Sequence, residues 1–278
     1  MIPSTEGRLQ RDGADLHYVE WSVAQATPPP VLLLHGLSSN ARYWDRVASQ
    51  LRTRRLVALD LTPETPERAG MDELFRDIAF AVERLFLDRP VVAGHSWGAG
   101  LALEFVARHP DLASGLVFID GPIDGVSRIF SWAEVEAFMQ PPFERYAGLD
   151  EAVADSRRHL PGAWDDDLLP FVKGGLRRDG DAFVSTLRPE VRHRLLRDLF
   201  ESDPQKLWPA LKVPAAALIA RKSDARISRS TDAGMERVAE IAPPVAITRF
   251  QTPHDIPLYA PLEVAQEIER VARSTICV

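Results

Sequence analysis

Val91-Val92-Ala93-Gly94-His95-Ser96-Trp97-Gly98-Ala99-Gly100 decides how this chain is read. The three apolar residues predict a short buried strand, and Leu101, Leu103, Phe105 and Val106 behind them predict a helix. Between the two lies Gly94-His95-Ser96-Trp97-Gly98, a Gly-x-Ser-x-Gly turn set between a strand and a helix. So sharp a bend puts the serine in a strained backbone conformation with positive φ, at a cost of about 1–3 kcal/mol. Glycines two residues to either side remove the side chains that would collide there. The expected result is a serine hydroxyl raised above a sheet at the start of a helix.

Working outward, residues 31–34 and 56–59 are wholly apolar, the mark of strands covered on both faces. Residues 8–21 read as two strands turning at Asp12-Gly13. Residues 72–87 carry Leu74, Ile78, Ala81, Val82 and Leu85 at helical spacing. The strand at 115–119 ends in Asp120-Gly121-Pro122. From there to Pro214 no further buried strand is expected. The stretch reads instead as short amphipathic helices at 132–139, 149–158, 165–173 and 189–200, punctuated by proline and glycine. Strands resume at 215–220 and 245–250, with helices at 231–241 and 261–273. Buried strands alternating with helices predict an α/β fold, a mostly parallel sheet with helices on both faces. Residues 1–121 and 214–278 form this core, and 122–213 are inserted into it as a helical cap.

Bulk properties narrow the function. The chain has 278 residues, 45% hydrophobic and 26% charged, which is ordinary for a globular protein able to bury a core without disulfides. A net charge of −7 argues against nucleic acid or an anionic membrane surface as partner. The single cysteine, Cys277, rules out a disulfide within the chain and suits a reducing compartment. The first residues show no basic region followed by an apolar run, and no stretch reaches the ~18 apolar residues of a membrane span. A cytoplasmic protein acting on a small-molecule substrate is expected; nothing here sets the oligomeric state.

In parallel sheets chemistry gathers at the carboxyl ends of the strands. A serine is a poor nucleophile until a base takes its proton, and a histidine base needs an acid to orient it. His254, in Gln251-Thr252-Pro253-His254-Asp255-Ile256-Pro257, follows the last strand and is the candidate base. His95 is expected to pack beneath the turn, and His35 to be structural. His17, His109, His159 and His193 lack a strand-end context. Asp224, just after strand 215–220, is the preferred acid, because Ser96, Asp224, His254 is the chain order expected of this elbow architecture. Asp120, at the end of the preceding strand, is its rival. Asp255 is expected to point away. The oxyanion donors are expected to be the backbone N–H groups of Trp97 and Leu37, with Gly36 letting the second approach.

His35-Gly36-Leu37, Gly94-His95-Ser96-Trp97-Gly98, Asp224 and His254-Asp255-Ile256-Pro257 together resemble the α/β-hydrolase superfamily, over essentially the whole chain. The resemblance implies an eight-stranded sheet, a helical cap between strands six and seven, and hydrolysis through an acyl-enzyme with no cofactor and no metal. One departure is Leu61-Thr62-Pro63-Glu64-Thr65-Pro66, where members of the superfamily often carry a glycine-rich segment. A serine at the elbow argues against the epoxide hydrolases and haloalkane dehalogenases of the superfamily, which need a carboxylate there.

The expected activity is hydrolysis of a carboxylic ester, thioester or lactone of a small or medium, mainly apolar substrate. Trp132, Phe138 and Phe143, with Phe130 among other cap aromatics, are candidates for the acyl pocket. Cap arginines such as Arg157, Arg178, Arg192 and Arg197 read as a solvated face balanced by nearby acids, with recognition of a substrate carboxylate as the alternative. Asp165-Asp166-Asp167 reads as a helix start, where acids suit the dipole, rather than as an amine site. Carbon–carbon bond hydrolysis, aminopeptidase or hydroxynitrile lyase chemistry, and a ligand-binding, receptor-like member with little turnover remain open, because a fold does not specify a function.

Overall fold

The wholly apolar runs of the sequence become the centre of one eight-stranded sheet. The computed structural model describes residues 3–140, 143–242 and 244–275; Cys277 lies outside them. The chain opens with β1 (Ser4–Arg11) and β2 (Ala14–Trp21), an antiparallel hairpin turning through Asp12 and Gly13, both with positive φ. Then follow β3 (Val31–Leu34), β4 (Leu56–Leu59), β5 (Val91–His95) and β6 (Gly115–Ile119), every residue of which is buried. Next come β7 (Arg145–Tyr146), β8 (Leu176–Asp179) and β9 (Ala182–Ser185), before β10 (Ala215–Ile219) and β11 (Val245–Arg249). The main sheet runs β1-β2-β4-β3-β5-β6-β10-β11, and its pairs are parallel from β4 onward.

The helices are α1 (Asp45–Gln50), α2 (Met71–Arg84), α3 (Trp97–Arg108), α4 (Trp132–Met139), α5 (Leu149–His159), α6 (Leu169–Gly174), α7 (Pro189–Glu201), α8 (Ala225–Ile241), α9 (Ile256–Tyr259) and α10 (Pro261–Ser274). Successive strand residues point to opposite faces, so each buried strand feeds two cores. Leu32, Leu34, Val92, Leu116 and Phe118 pack with the apolar stripes of α2, α3 and α8. Val31, Leu33, Val91, Ala93 and Val117 pack with those of α1 and α10. This double coverage explains why the strands read as continuous apolar runs rather than as alternation.

Two expectations need correction. The chain between β6 and β10, the sixth and seventh strands of the main sheet, is not purely helical: β7, β9 and β8 form a small antiparallel sheet beside α4–α7. These strands are only two to four residues long, and two of them are polar (Arg145-Tyr146 and Leu176-Arg177-Arg178-Asp179), so no long apolar run betrayed them. A turn with Gly180 at φ +61° closes the β8–β9 hairpin. The helix expected from residue 231 in fact begins at Ala225, which changes the role of the residue before it.

Candidate active site

β5 delivers Ser96 into the sharp turn its sequence required. Ser96 has φ +56° and ψ −120°, in the region that L residues avoid, and α3 begins at the next residue. Gly94 and Gly98 permit the bend by contact rather than by φ. A Cβ on Gly94 would run into the backbone of Gly98, and one on Gly98 into the carbonyls of Leu34 and His35. The elbow is thus pressed against the end of β3. Strain of this kind persists only where surrounding structure over-determines it.

Ser96 Oγ lies 2.9 Å from His254 Nε2, and His254 Nδ1 lies 2.6 Å from Asp120 Oδ2. With Nδ1 donating to the carboxylate, Nε2 is left as acceptor for the serine proton. The loop that carries His254 is tied at several points. His95 Nε2 donates to the His254 carbonyl at 3.0 Å, and Arg221 N–H donates to the Thr252 carbonyl at 3.1 Å. Tyr43 donates its hydroxyl to Asp255 at 3.1 Å, turning that carboxylate away from the serine. Burial, then the nearby His254, push His95 down to about 3, so it is a neutral strut stacked on Tyr43. His35 is a strut as well. Leu61 N–H donates to its Nε2 at 2.9 Å, so its Nδ1 donates to the Gly36 carbonyl at 2.8 Å.

The carboxylate that meets the imidazole is Asp120, not Asp224. The preference for Asp224 is corrected by the sheet. Asp120 directly follows β6, and β10 lies beside β6 in parallel register. The Ala220 N–H at the end of β10 donates to Asp120 Oδ1 at 2.8 Å, and Lys222 Nζ approaches the same oxygen at 2.5 Å. Asp120 is fully buried and has φ +50°. Burial alone would raise its pKa; the His254 hydrogen bond and the Lys222 charge outweigh that and hold it below the ordinary carboxylate value. Asp224 instead caps α8, its Oδ1 accepting from Arg226 N–H at 2.7 Å and Ile227 N–H at 3.1 Å. These bonds to the helix N-terminus lower its pKa, and it is solvent-exposed.

For an oxyanion the arrangement offers main-chain donors. Trp97 is the first residue of α3, so its N–H has no acceptor within the helix. Gly36 lies against the elbow: a Cβ there would sit 3.3 Å from Ser96 Cβ. The turn after β3, which continues into Leu37, therefore passes close to the serine.

A cavity of about 560 Å³ opens from Ser96, Trp97 and His254. Its walls include Val126, Ile129, Phe130, Met139, Leu199 and Ile227, with Lys222 and Asp224 on one side. Of the three expected pocket aromatics, Phe138 lines this cavity, edge-on to Phe130 at 4.9 Å. Trp132 does not. Its indole packs edge-on against Phe200 and His193, at 5.4 Å each, with Arg197 over the ring. Phe143 lines a different, smaller cavity. Sequence reasoning missed Ile129, Leu199 and Ile227, because an apolar helix face reads alike whether it meets core or cavity. It also missed Lys222, for which no pattern exists. Among the described residues no cluster of three or more His, Cys, Asp or Glu is placed to hold a metal ion. No described helix is long and apolar enough to cross a membrane.

Residues 31–267 match the model of the "Alpha/beta hydrolase family". The chain belongs to that family. It is similar to Epoxide hydrolase 3 of Xenopus tropicalis, 32% identical over 126 residues, which is 41% of this chain and 33% of the relative. It is also similar to Lipase LipV of Mycobacterium tuberculosis, 30% identical over 168 residues, which is 58% of this chain and 60% of that one. The chain thus spans about a third of the first of these relatives, and under two thirds of the second. Among solved structures, E-2-(acetamidomethylene)succinate hydrolase superposes with a TM-score of 0.78 at 18% identity, covering 97% of this chain and 99% of the other. At that identity the likeness is one of fold.

Proposed function

We propose that this α/β-hydrolase cleaves a carboxylic ester, thioester or lactone of a small to medium, mainly apolar substrate through an acyl-enzyme. Ser96 Oγ attacks the carbonyl as His254 Nε2 takes its proton. Asp120 keeps the imidazole in the tautomer this requires and stabilises the imidazolium. The oxyanion is held by the N–H groups of Trp97 and Leu37. His254 returns the proton to the leaving group, and water repeats the sequence on the ester of Ser96.

The observation that carries this reading is the unbroken hydrogen-bonded line from Ser96 through His254 to Asp120 at the mouth of a largely apolar cavity. About 560 Å³ lies within the range of small-molecule sites. Although three similar proteins are named epoxide hydrolases, the elbow here carries a serine, which suits acyl transfer, and the lipase is a nearer analogue of that chemistry.

Treatment with a fluorophosphonate followed by intact-mass spectrometry tests it. One adduct on the wild type and none on Ser96→Ala is the expected result. Folded wild type that takes up no adduct would overturn the reading in favour of a binding protein.

A further inference from the structure

The second cavity bears on what the substrate carries. About 250 Å³ in volume, it begins one residue beyond the first: Met139 lines the cavity of Ser96, and Gln140 lines this one. Ser38, which also lines it, follows Leu37 in the turn that lies against the elbow. Phe143, Tyr146, Phe171 and Leu187 give it apolar walls, and Arg192 of α7 is its cation.

Arg192 differs from the arginines around it. Arg194 pairs with Asp198 at 3.2 Å and Arg197 with Glu201 at 2.5 Å, as expected of a balanced surface. Arg192 has no charged partner among the described residues, and burial alone draws its pKa below the ordinary guanidinium value. Its Nε and Nη2 donate to the Met139 carbonyl, at 3.1 and 2.5 Å, and its Nη1 donates to Ser38 Oγ. A guanidinium has five N–H donors in a rigid fork. Three are committed, which leaves one N–H on each terminal nitrogen to donate to a carboxylate.

Resting on the serine-hydrolase reading above, we infer that Arg192 binds a carboxylate carried by the substrate at a distance from the scissile bond, so that the preferred substrates are esters that also carry a free carboxylate. The apolar arm occupies the first cavity. The charged arm passes the turn at Leu37 and Ser38 into the second. A single guanidinium matches a monoanion. Glu144, exposed where it lines the same cavity, disfavours a dianion such as phosphate.

The test compares kcat/KM within matched pairs: 4-nitrophenyl hydrogen glutarate against its methyl-capped diester, and 4-acetoxybenzoate against its methyl ester. One pair places the charge on the acyl arm and the other on the leaving group. Wild type is expected to favour the charged member of at least one pair by about tenfold or more, chiefly through KM. Arg192→Gln should reduce that ratio to about one or below, and Arg192→Lys should restore part of it. The ratio is taken within each variant, so a lower folded fraction cancels. A wild type that hydrolyses both members of each pair equally, or an Arg192→Gln variant that keeps the preference, overturns the inference. Fluorophosphonate labelling separates the two failures: a labelled Ser96 without a charge preference defeats only this inference. Should none of the esters be hydrolysed, calorimetric titration with monomethyl glutarate decides, with binding expected in wild type and lost in Arg192→Gln.

Discussion

Lys222 reaches from the turn after β10 to the carboxylate of Asp120 at the end of β6, 2.5 Å from Nζ to Oδ1. The two oxygens of this buried group have separate duties. Oδ1 is anchored by Lys222 and the Ala220 N–H, which leaves Oδ2 for His254 alone. Replacing Lys222 by Met strands a buried carboxylate with one anchor fewer. The expected loss of stability is about 1–3 kcal/mol, measured by urea unfolding. A loosened acid also misplaces the imidazole, so kcat/KM on an activated ester should fall by on the order of 10–10²-fold, with partial recovery in Lys222→Arg.

Asp120→Asn and Asp224→Asn separate the two candidate acids. An amide at position 120 favours the wrong imidazole tautomer, and kcat is expected to drop by about 10⁴-fold. Asp224→Asn keeps an acceptor for the helix cap and should leave turnover close to wild type. The opposite ranking in steady-state assays would return the role to Asp224.

The lowered pKa of Asp120 has a stability signature. A carboxyl depressed in the folded state contributes stability at pH values above its unfolded value, near ~3.9, and loses that contribution as pH falls through the folded value. The stability difference between wild type and Asp120→Asn should therefore shrink as pH falls below about pH 4. Denaturant titrations at pH 7, 5, 4 and 3 read it directly. A difference that fails to shrink between pH 5 and pH 3 would contradict the arrangement.

Gly98→Ala tests the close approach at the elbow. The added methyl meets main-chain carbonyls of Leu34 and His35, which cannot rotate away as a side chain would. The expected cost is at least about 1–3 kcal/mol, with loss of fluorophosphonate labelling at Ser96 even in the folded fraction. Gly100→Ala, where a Cβ meets nothing within 4 Å, is the control and should be neutral or slightly stabilising.

Much of the fold was legible because burial on both faces leaves an unmistakable record, as in Val31-Leu32-Leu33-Leu34. The elbow was legible because its steric demand falls on specific glycines. The acid was not, for a local reason. Starting α8 at residue 231 instead of 225 left Asp224 looking like a free loop carboxylate, when an Asp directly before a helix is first of all a cap. The ends of β6 and β10 are also neighbours, so either can serve the same histidine, and chain order cannot separate them. The pocket was least legible. Trp132, Phe138 and Phe143 are alike in one dimension; the packing of α4 on α7 sends the first into a wall and the second into the Ser96 cavity, while Phe143, beyond α4, lines another cavity.

His254 follows β11, which among the described residues pairs with β10 alone and forms the border of the sheet. Its bond to Asp120 therefore spans the end of β10 to join two strands that do not touch. Margins of a sheet open more readily than its middle. Gentle heating should thus silence this protein while its helices and central strands still stand. Inactivation would report on the detachment of one border strand, not on the melting of the core.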